Sequence, residues 1–475
     1  MRNIVIFLIL ILLNTLLALS QPLSLFVDEG QYLLTSKKML EGWVPYRDIA
    51  ESKPLGMHLS LIPAVLLCGT DFVKLRLYAA FIVSLTAFFI FLIGERIKNV
   101  RVGLLGAVIF ACIEAFPNFY GYNLLTEPIA NLVIAALFYL LVKGELDSKR
   151  ALLIGILTAA ACSVKQTSVF VFIPLAFVFL YCNGNRKRIL LSFLVGGCIV
   201  AIPILLYLAL NSALGDAAYW TCLYLIKLGG STVEYKIETF GVLLFLFSPF
   251  AFPALLSSIN PKKDTKIIWL WLVGSLVLIQ VGYAWLHNYL FAAPPLSILA
   301  ALGIDRLFEM MRTRNALGYA ARGALIILYI IISLMIFLEM SWISNIRASG
   351  STSSFYPSWE DQRRISEFIS SNTNSGDGIF VFRSNPEIYY LSDRKPVTRM
   401  TFFFGGHMPA MSEREMDEFV FQPLEKHKPE YFVFNAADFE FYREEKNALA
   451  VKRYLDEKYE YVMGSGPLQV YRIKS

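Results

Sequence analysis

The chain has 475 residues, of which 56% are hydrophobic and only 17% are charged, and its mean hydropathy is +0.55. Ordinary soluble domains carry roughly 25% charged residues, so this composition excludes a soluble enzyme and indicates a polytopic membrane protein. The net charge of +6 comes from residues 1–349, with 27 Lys and Arg against 18 Asp and Glu, because residues 350–475 hold 16 against 19. Basic residues between apolar segments are typical of membrane topology, so we predict no nucleic-acid partner.

Apolar segments of the length expected for membrane-spanning helices, or somewhat shorter, recur through the first 341 residues. The eleven candidates lie near 4–20, 74–94, 102–115, 128–142, 151–164, 167–182, 189–210, 240–258, 267–286, 288–304 and 323–341. The first resembles a signal peptide with a cleavage site after Ser20, but we favour an uncleaved span. All six cysteines lie in or beside apolar segments, which predicts small buried side chains, and the residues after 341 contain no cysteine from which a disulfide framework could be inferred.

Basic residues concentrate in alternate connections between these segments. Arg2 and the connections 95–101, 143–150, 183–188, 260–266 and 305–322 together hold 17 Lys and Arg against 6 Asp and Glu; the opposite connections hold 10 against 12. Because positive connections stay in the cytoplasm, we predict a multi-pass protein of the plasma or inner membrane with a cytoplasmic N-terminus. Its outer face then carries the loop 21–73, the loop 211–239 and everything after residue 341, while the short apolar segment 55–69 lies along the interface.

The chain changes character after residue 341, where a polar linker at 344–354 precedes alternating helix and strand patterns. The predicted elements are helices at 359–372, 414–427 and 443–457 and strands at 378–382, 431–435, 459–463 and 468–473. This alternation is typical of a small α/β domain. We therefore predict a transmembrane domain over 1–343 and an extracytoplasmic α/β domain over 355–475.

The outer loop, residues 21–73, carries polar side chains next to the first predicted span. A carboxylate at Asp28 or Glu29 is suited to act as a general base toward an acceptor hydroxyl, or to orient it. Lys53, at the far end of the loop, is suited to pair with a phosphate. Further candidates for substrate contact in the loop are Tyr32, Tyr46 and Asp48. Outer loops also carry solvated charges that have no function, so the residue types alone leave both interpretations open.

Three parts of this loop occur in an order that resembles a known family. They are DEGQY at 28–32, LEGWVPYRD at 40–48 and KPLG at 53–56. Together they resemble the first outer loop of GT-C superfamily glycosyltransferases, in the branch of the protein O-mannosyltransferases and the lipid A aminoarabinose transferase. The resemblance implies a GT-C fold and transfer of a sugar from a polyprenyl-phosphate carrier to a lipid, glycan or protein acceptor at the non-cytoplasmic face. It also implies that Asp28 is the catalytic or acceptor-orienting group and that Lys53 contacts the carrier phosphate.

Four more polar residues fall at predicted outer ends of spans, and each also has an ordinary structural interpretation. Glu127 is a candidate substrate contact or a carboxylate favoured at a helix N-terminus. Lys165 is a candidate phosphate contact or a side chain that snorkels to the interface. His287 and Arg76 are candidates to face the donor. No His, Cys, Asp or Glu cluster has metal-ligand spacing, so we expect no metal cofactor, although the resemblance leaves a divalent ion open.

Two other classes of function remain as alternatives to an enzyme. A transporter or lipid flippase would carry ionisable residues near the bilayer midplane, whereas charges here gather at the outer ends of the spans. A non-catalytic scaffold with a glycan-binding outer domain is the third. Nucleotide-binding patterns are missing from the sequence, which is compatible with a lipid-phosphate leaving group.

Overall fold

The computed structural model describes residues 1–311 and 357–474, with short gaps at 22, 117–118, 143, 181–184, 281–283, 384, 404–410 and 442, and scattered positions between 319 and 334. The predicted linker 344–354 and most of the predicted span 323–341 lie outside the described residues. The chain folds into two compact units. The first comprises Met1–Gln21, Arg76–Ile204 and Gly230–Ile346, and the second comprises Pro22–Leu75, Leu205–Gly229 and Arg347–Ser475.

Helices account for nearly all regular structure in the first 311 residues. They are α1 (Arg2–Leu19), α2 (Val27–Leu40), α3 (Leu55–Cys68), α4 (Phe72–Ile97), α5 (Val100–Glu114), α6 (Thr126–Leu141), α7 (Ser148–Val164), α8 (Phe172–Leu180), α9 (Arg186–Leu210), α10 (Leu214–Ala218), α11 (Tyr224–Leu228), α12 (Val233–Leu256), α13 (Lys263–Ile279) and α14 (Ala293–Met311). Short 3₁₀ segments at Gln166–Val171 and Leu286–Ala292 precede α8 and α14. Ten of the eleven predicted apolar segments coincide with these helices, which confirms a mainly helical membrane architecture.

Length and composition identify the helices able to cross a bilayer. Within the described residues, five are long and apolar enough: α1, α4, α9, α12 and the stretch Leu286–Met311 that ends in α14. Shorter apolar helices occupy Leu55–Cys68, Thr126–Leu141 and Gln166–Leu180. In the first unit α14 packs against α5 and α12, and α6 packs against α7. Gly303 permits the α12–α14 contact, because a Cβ atom there would lie 1.7 Å from the Pro253 carbonyl oxygen.

The tail, the described residues 357–474 of the second unit, contains a five-stranded sheet. Its elements are α15 (Trp359–Asn372), β1 (Gly378–Phe382), α16 (Glu387–Ser392), β2 (Lys395–Pro396), α17 (Glu413–Met416), α18 (Gln422–His427), β3 (Tyr431–Asn435), α19 (Ala436–Phe441), α20 (Lys446–Lys458), β4 (Tyr459–Ser465) and β5 (Leu468–Ile473). The strand order is β2-β1-β3-β5-β4, in which β2, β1 and β3 are parallel and β5 is antiparallel to both β3 and β4. The prediction of a small C-terminal α/β domain is confirmed.

Local sequence explains the elements that were predicted well. Ser358 caps α15, because its hydroxyl accepts a hydrogen bond from the Asp361 N–H while the Asp361 carboxylate accepts one from the Ser358 N–H. Strands β1 and β3 are apolar and buried along almost their whole length, as expected for central strands covered on both faces. The prediction missed α16, β2 and α19, and it did not foresee that residues 21–73 contain the fourteen-residue helix α2.

The outer loop packs against the tail inside the second unit. Gly30 on α2 approaches Glu387 on α16 so closely that a Cβ at position 30 would lie 2.7 Å from the Glu387 Cβ. Gln362 exchanges hydrogen bonds of 3.0 and 2.9 Å with the main chain of Leu25. At the other end of the loop the Tyr390 hydroxyl donates to the Gly69 carbonyl at 2.6 Å. The tail therefore holds the outer loop near both of its ends.

Candidate active site

Asp28 and Glu29 occupy the first turn of α2, but their carboxylates have different surroundings. Glu29 is fully buried, and its carboxylate accepts a hydrogen bond from the Phe26 N–H at 3.3 Å, so it caps its own helix. Asp28 is half-buried, and its carboxylate forms no hydrogen bond or ion pair with any residue that the structure describes. Of the two predicted carboxylates, Asp28 is therefore the one available to a ligand.

Tyr46 is buried and holds the end of the loop in place. Its backbone lies in the left-handed region at φ +71°, which a non-glycine residue rarely adopts without compensating contacts. Its hydroxyl donates a hydrogen bond of 2.8 Å to the Lys53 carbonyl, and its N–H donates one of 2.8 Å to the Ile49 carbonyl. Burial raises the pKa of Tyr46 well above its usual value, so the phenol remains a donor. Tyr46 thus shapes the loop more directly than it presents itself to a substrate.

Asp48 closes the turn that precedes Lys53. Its carboxylate accepts hydrogen bonds from the Arg47 guanidinium at 2.8 and 2.9 Å and from the Val44 N–H at 2.7 Å. The bond from Arg47 is the main reason that the pKa of Asp48 lies below its usual value. With its oxygens so engaged, Asp48 stabilises the loop.

The main chain of Lys53 is held by hydrogen bonds, whereas its side chain, like that of Asp28, makes no hydrogen bond to a described residue. Its carbonyl accepts the Tyr46 hydroxyl, and its N–H donates to Glu51 Oε1 at 3.1 Å. Lys53 is part-exposed, and its ammonium group interacts electrostatically with the buried Glu51 carboxylate but makes no hydrogen bond or ion pair within the described part of the chain. A fixed main chain with an ammonium group that has no hydrogen bond of its own is suited to bind an anionic ligand.

Glu51 is a buried carboxylate that the sequence prediction did not assign to the site. Its Oε1 atom accepts the N–H groups of Ser52 and Lys53, at 2.7 and 3.1 Å, and its Oε2 atom lies 3.5 Å from the Thr35 hydroxyl and 3.6 Å from His58 Nε2. Burial raises the pKa of Glu51 to about 7. Glu51 therefore orders the Lys53 backbone from one side, as Tyr46 does from the other.

A small pocket opens beside Glu51. It is lined by Gln31, Ala50, Glu51, Ser52, Trp220, Tyr224, Met400 and Phe402, and its free space is about 30 Å³. This volume has room for about two water molecules. Tyr32 does not line this pocket: it is buried, and its ring meets that of His58 edge-on at 6.1 Å.

The first unit brings three other predicted residues together. Lys165, which follows α7, forms a buried ion pair with Glu127 at the start of α6 and donates a hydrogen bond of 2.6 Å to the Asn288 side chain. His287 Nε2 lies 4.0 Å from the same Glu127 carboxylate. Glu127 also accepts the Thr126 hydroxyl at 3.0 Å. Three separate chain segments thus meet at one polar cluster, and it includes Asn288, which the sequence prediction did not assign to the site.

Arg76 is fully buried near the start of α4, where its guanidinium donates a hydrogen bond of 3.3 Å to the Tyr122 carbonyl. Tyr122 in turn donates to the Asn14 side chain at 2.8 Å. These contacts link α1, α4 and the segment before α6 inside the first unit. The predicted role of Arg76 toward a donor stays a prediction.

Comparison with protein families and solved structures agrees with the motif resemblance. Residues 52–210, about a third of the chain, match the family described as dolichyl-phosphate-mannose-protein mannosyltransferase. The matched segment includes Lys53, Glu127 and Lys165 but begins after Asp28. None of the curated protein sequences matches the chain.

Several solved structures are similar along the whole chain. ArnT from Cupriavidus metallidurans, solved bound to undecaprenyl phosphate, has a TM-score of 0.68 and 14% identity, and the match covers 98% of this chain and 97% of ArnT. The oligosaccharyltransferase AglB from Archaeoglobus fulgidus, solved with an inhibitory peptide and a dolichol-phosphate, has a TM-score of 0.59 and 12% identity, with coverage of 100% and 74%. The arabinofuranosyltransferase AftD from Mycobacteria has a TM-score of 0.51 and 11% identity, with coverage of 100% and 41%. The predicted GT-C fold and the predicted resemblance to this superfamily are thereby confirmed.

Proposed function

We propose that this protein is a GT-C glycosyltransferase that moves one monosaccharide from a polyprenyl-phosphate-linked donor to an acceptor on the non-cytoplasmic face of the membrane. Support comes from the fold, from the family match over residues 52–210, and from the undecaprenyl phosphate and dolichol-phosphate named with two structural neighbours. The acceptor is a lipid, a glycan or a protein. The sidedness follows from the alternating charge of the connections.

The proposal rests on a contrast within the outer loop between charged side chains that are hydrogen-bonded to the loop and charged side chains that are not. Glu29, Asp48 and Glu51 all accept hydrogen bonds from the loop itself. Asp28 and Lys53 have no such partner among the described residues. Buried or half-buried charges are normally paired, so an anion and a cation left available in a rigid loop are suited to a ligand that carries the complementary groups.

In this proposal Lys53 pairs with the carrier phosphate and Asp28 handles the acceptor. The acceptor hydroxyl oxygen attacks the anomeric carbon from the face opposite the phosphate, and the bond between that carbon and the phosphate oxygen breaks. The polyprenyl phosphate leaves with the bonding electrons, and the Asp28 carboxylate takes or aligns the hydroxyl proton. Because the carrier phosphate is itself the leaving group, the reaction needs no nucleotide.

The test is transfer of radiolabel from synthetic polyprenyl-phosphate sugars by the purified protein in lipid nanodiscs. We expect Lys53→Ala to raise the KM for the donor roughly 10- to 100-fold, because a hydrogen bond to a charged group contributes about 1.5–3 kcal/mol. Lys74→Ala is the matched control, since Lys74 is an exposed lysine of the same unit that pairs with Asp71. An unchanged donor KM in Lys53→Ala would contradict the phosphate role.

The same assay addresses the transporter alternative. Protein that translocates the labelled lipid across a bilayer without releasing free polyprenyl phosphate would be a flippase. Loss of label from the carrier together with gain of label by an acceptor supports the glycosyltransferase.

A further inference from the structure

We propose that Arg399, in the C-terminal tail, is a positioning residue for Lys53 and so sets the affinity of the site for the donor phosphate. The inference deepens the proposed function and rests on it, since it takes Lys53 as the group that meets the phosphate. Arg399 lies 346 positions from Lys53 in the sequence and belongs to no motif of the outer loop. All the contacts that support this role lie inside the second unit.

Arg399 forms hydrogen bonds with the outer loop at two points. Its guanidinium donates to the Tyr46 carbonyl through two nitrogens, with the Nε distance at 3.1 Å. Its own carbonyl accepts the Ala50 N–H at 2.8 Å. The segment between Tyr46 and Ala50 is therefore bracketed by one residue of the tail.

Tyr46 connects Arg399 to Lys53. The left-handed backbone of Tyr46 and its buried ring define where its hydroxyl points, and that hydroxyl donates to the Lys53 carbonyl at 2.8 Å. Two successive hydrogen-bonded steps thus connect the Arg399 guanidinium to the main chain that carries the Lys53 ammonium. Without the hydrogen bonds from Arg399, the Tyr46 carbonyl is no longer held, and the hydrogen bond from the Tyr46 hydroxyl to the Lys53 carbonyl is less constrained.

The guanidinium of Arg399 is itself held in place, which distinguishes positioning from direct contact with substrate. It forms an ion pair with Asp216 and lies over the Trp220 ring at 5.9 Å. The same nitrogen that pairs with Asp216 also donates to Tyr46, and Nε donates to Tyr46 as well. Since these donors already have partners, Arg399 is placed to act through the loop.

A double-mutant cycle tests this role without any enzymatic turnover. The apparent Kd for undecaprenyl phosphate is measured with the full-length protein in nanodiscs, for wild type, Arg399→Ala, Lys53→Ala and the double variant. We expect Arg399→Ala to weaken binding about tenfold in the wild-type background, because it removes a charge-assisted contact to the loop. In the Lys53→Ala background the same substitution should change the Kd less than twofold, since the group that it positions is gone.

Two further variants keep the test decisive. Arg472→Ala is the matched control, because Arg472 is an exposed tail arginine paired with Glu430, and its loss should leave the Kd unchanged. Arg399→Lys keeps the positive charge but not the two-nitrogen fork, so it should weaken binding by an intermediate factor, and it carries the test if Arg399→Ala does not fold.

The outcomes separate this inference from the proposed function. If Arg399→Ala weakens binding equally in both backgrounds, or not at all, Arg399 does not act through Lys53 and the inference is overturned while the proposed function stands. If Lys53→Ala itself leaves the Kd unchanged, the phosphate role of Lys53 fails and the inference falls with it.

Discussion

Substituting Asp28 by Asn is the sharpest test of the proposed chemistry, because the structure separates its effect on turnover from its effect on folding. The change keeps the shape of the side chain and removes its basicity. Losing a general base typically lowers the rate 10²- to 10⁴-fold, which corresponds to about 2.7–5.4 kcal/mol of activation free energy. Since the Asp28 carboxylate has no hydrogen-bond partner in the described structure, the stability cost is limited to its favourable place at a helix N-terminus, about 0.3–1 kcal/mol.

The assay is the initial rate of sugar transfer at saturating donor, beside thermal unfolding of the same preparation. Glu29→Gln is the matched control: Glu29 is buried and caps α2, and the Gln oxygen can still accept the Phe26 N–H. We expect at least a hundredfold loss of turnover in Asp28→Asn with donor binding retained, and a smaller loss in Glu29→Gln. Turnover of Asp28→Asn within threefold of wild type would refute the role of Asp28 as base and make Glu127 the next carboxylate to test.

Two further predictions concern buried charges. Glu127→Ala should destabilise the protein by about 3–5 kcal/mol, because it leaves the buried Lys165 ammonium without its ion-pair partner. The effect should appear as a lower Tm or lost expression. The double variant with Lys165→Ala should regain stability, and a double variant no more stable than Glu127→Ala would contradict this. Burial raises the pKa of Glu387 from 4.5 to about 7, so the folded state binds its proton more tightly and stability should fall as pH rises from about 4.5 to 7, by about 3 kcal/mol. Glu387→Gln keeps the oxygen that accepts from Gln362 and Asn385, so it should remove the contribution of Glu387 and make the Tm fall less between pH 5 and 8 than in the wild type. An unchanged pH dependence of the Tm would count against this prediction.

Much of the architecture could be predicted because its determinants are local in sequence. Apolar segments of helical length located most of the membrane helices, and short continuous apolar runs located β1 and β3. The amphipathic pattern of 359–372 located α15. Helix α2 escaped prediction because its sequence mixes polar and apolar residues, and it is stabilised by packing against α3 and the tail.

For the site, the resemblance assigned roles to Asp28 and Lys53, whereas Glu29, Tyr46 and Asp48 were candidates without a specific role from the resemblance. The structure distinguishes them by what their polar atoms already contact. Glu29 caps a helix, Tyr46 donates to the Lys53 carbonyl, and Asp48 binds Arg47 and the Val44 N–H. A sequence shows which polar groups a residue carries. Whether those groups are free to bind a ligand depends on the neighbours that surround them in the folded protein.

What the sequence alone determined is therefore the membrane class, the helical spans, the sheet-containing tail and the types of residue in the outer loop, because hydropathy, charge and capping act over short stretches of chain. The tertiary structure decided which distant residues meet. It brought Glu127, Lys165 and His287 into one cluster and set Arg399 against the Tyr46 carbonyl. Such contacts join segments more than a hundred residues apart in most cases, and their geometry follows from packing of whole elements, which no local pattern encodes.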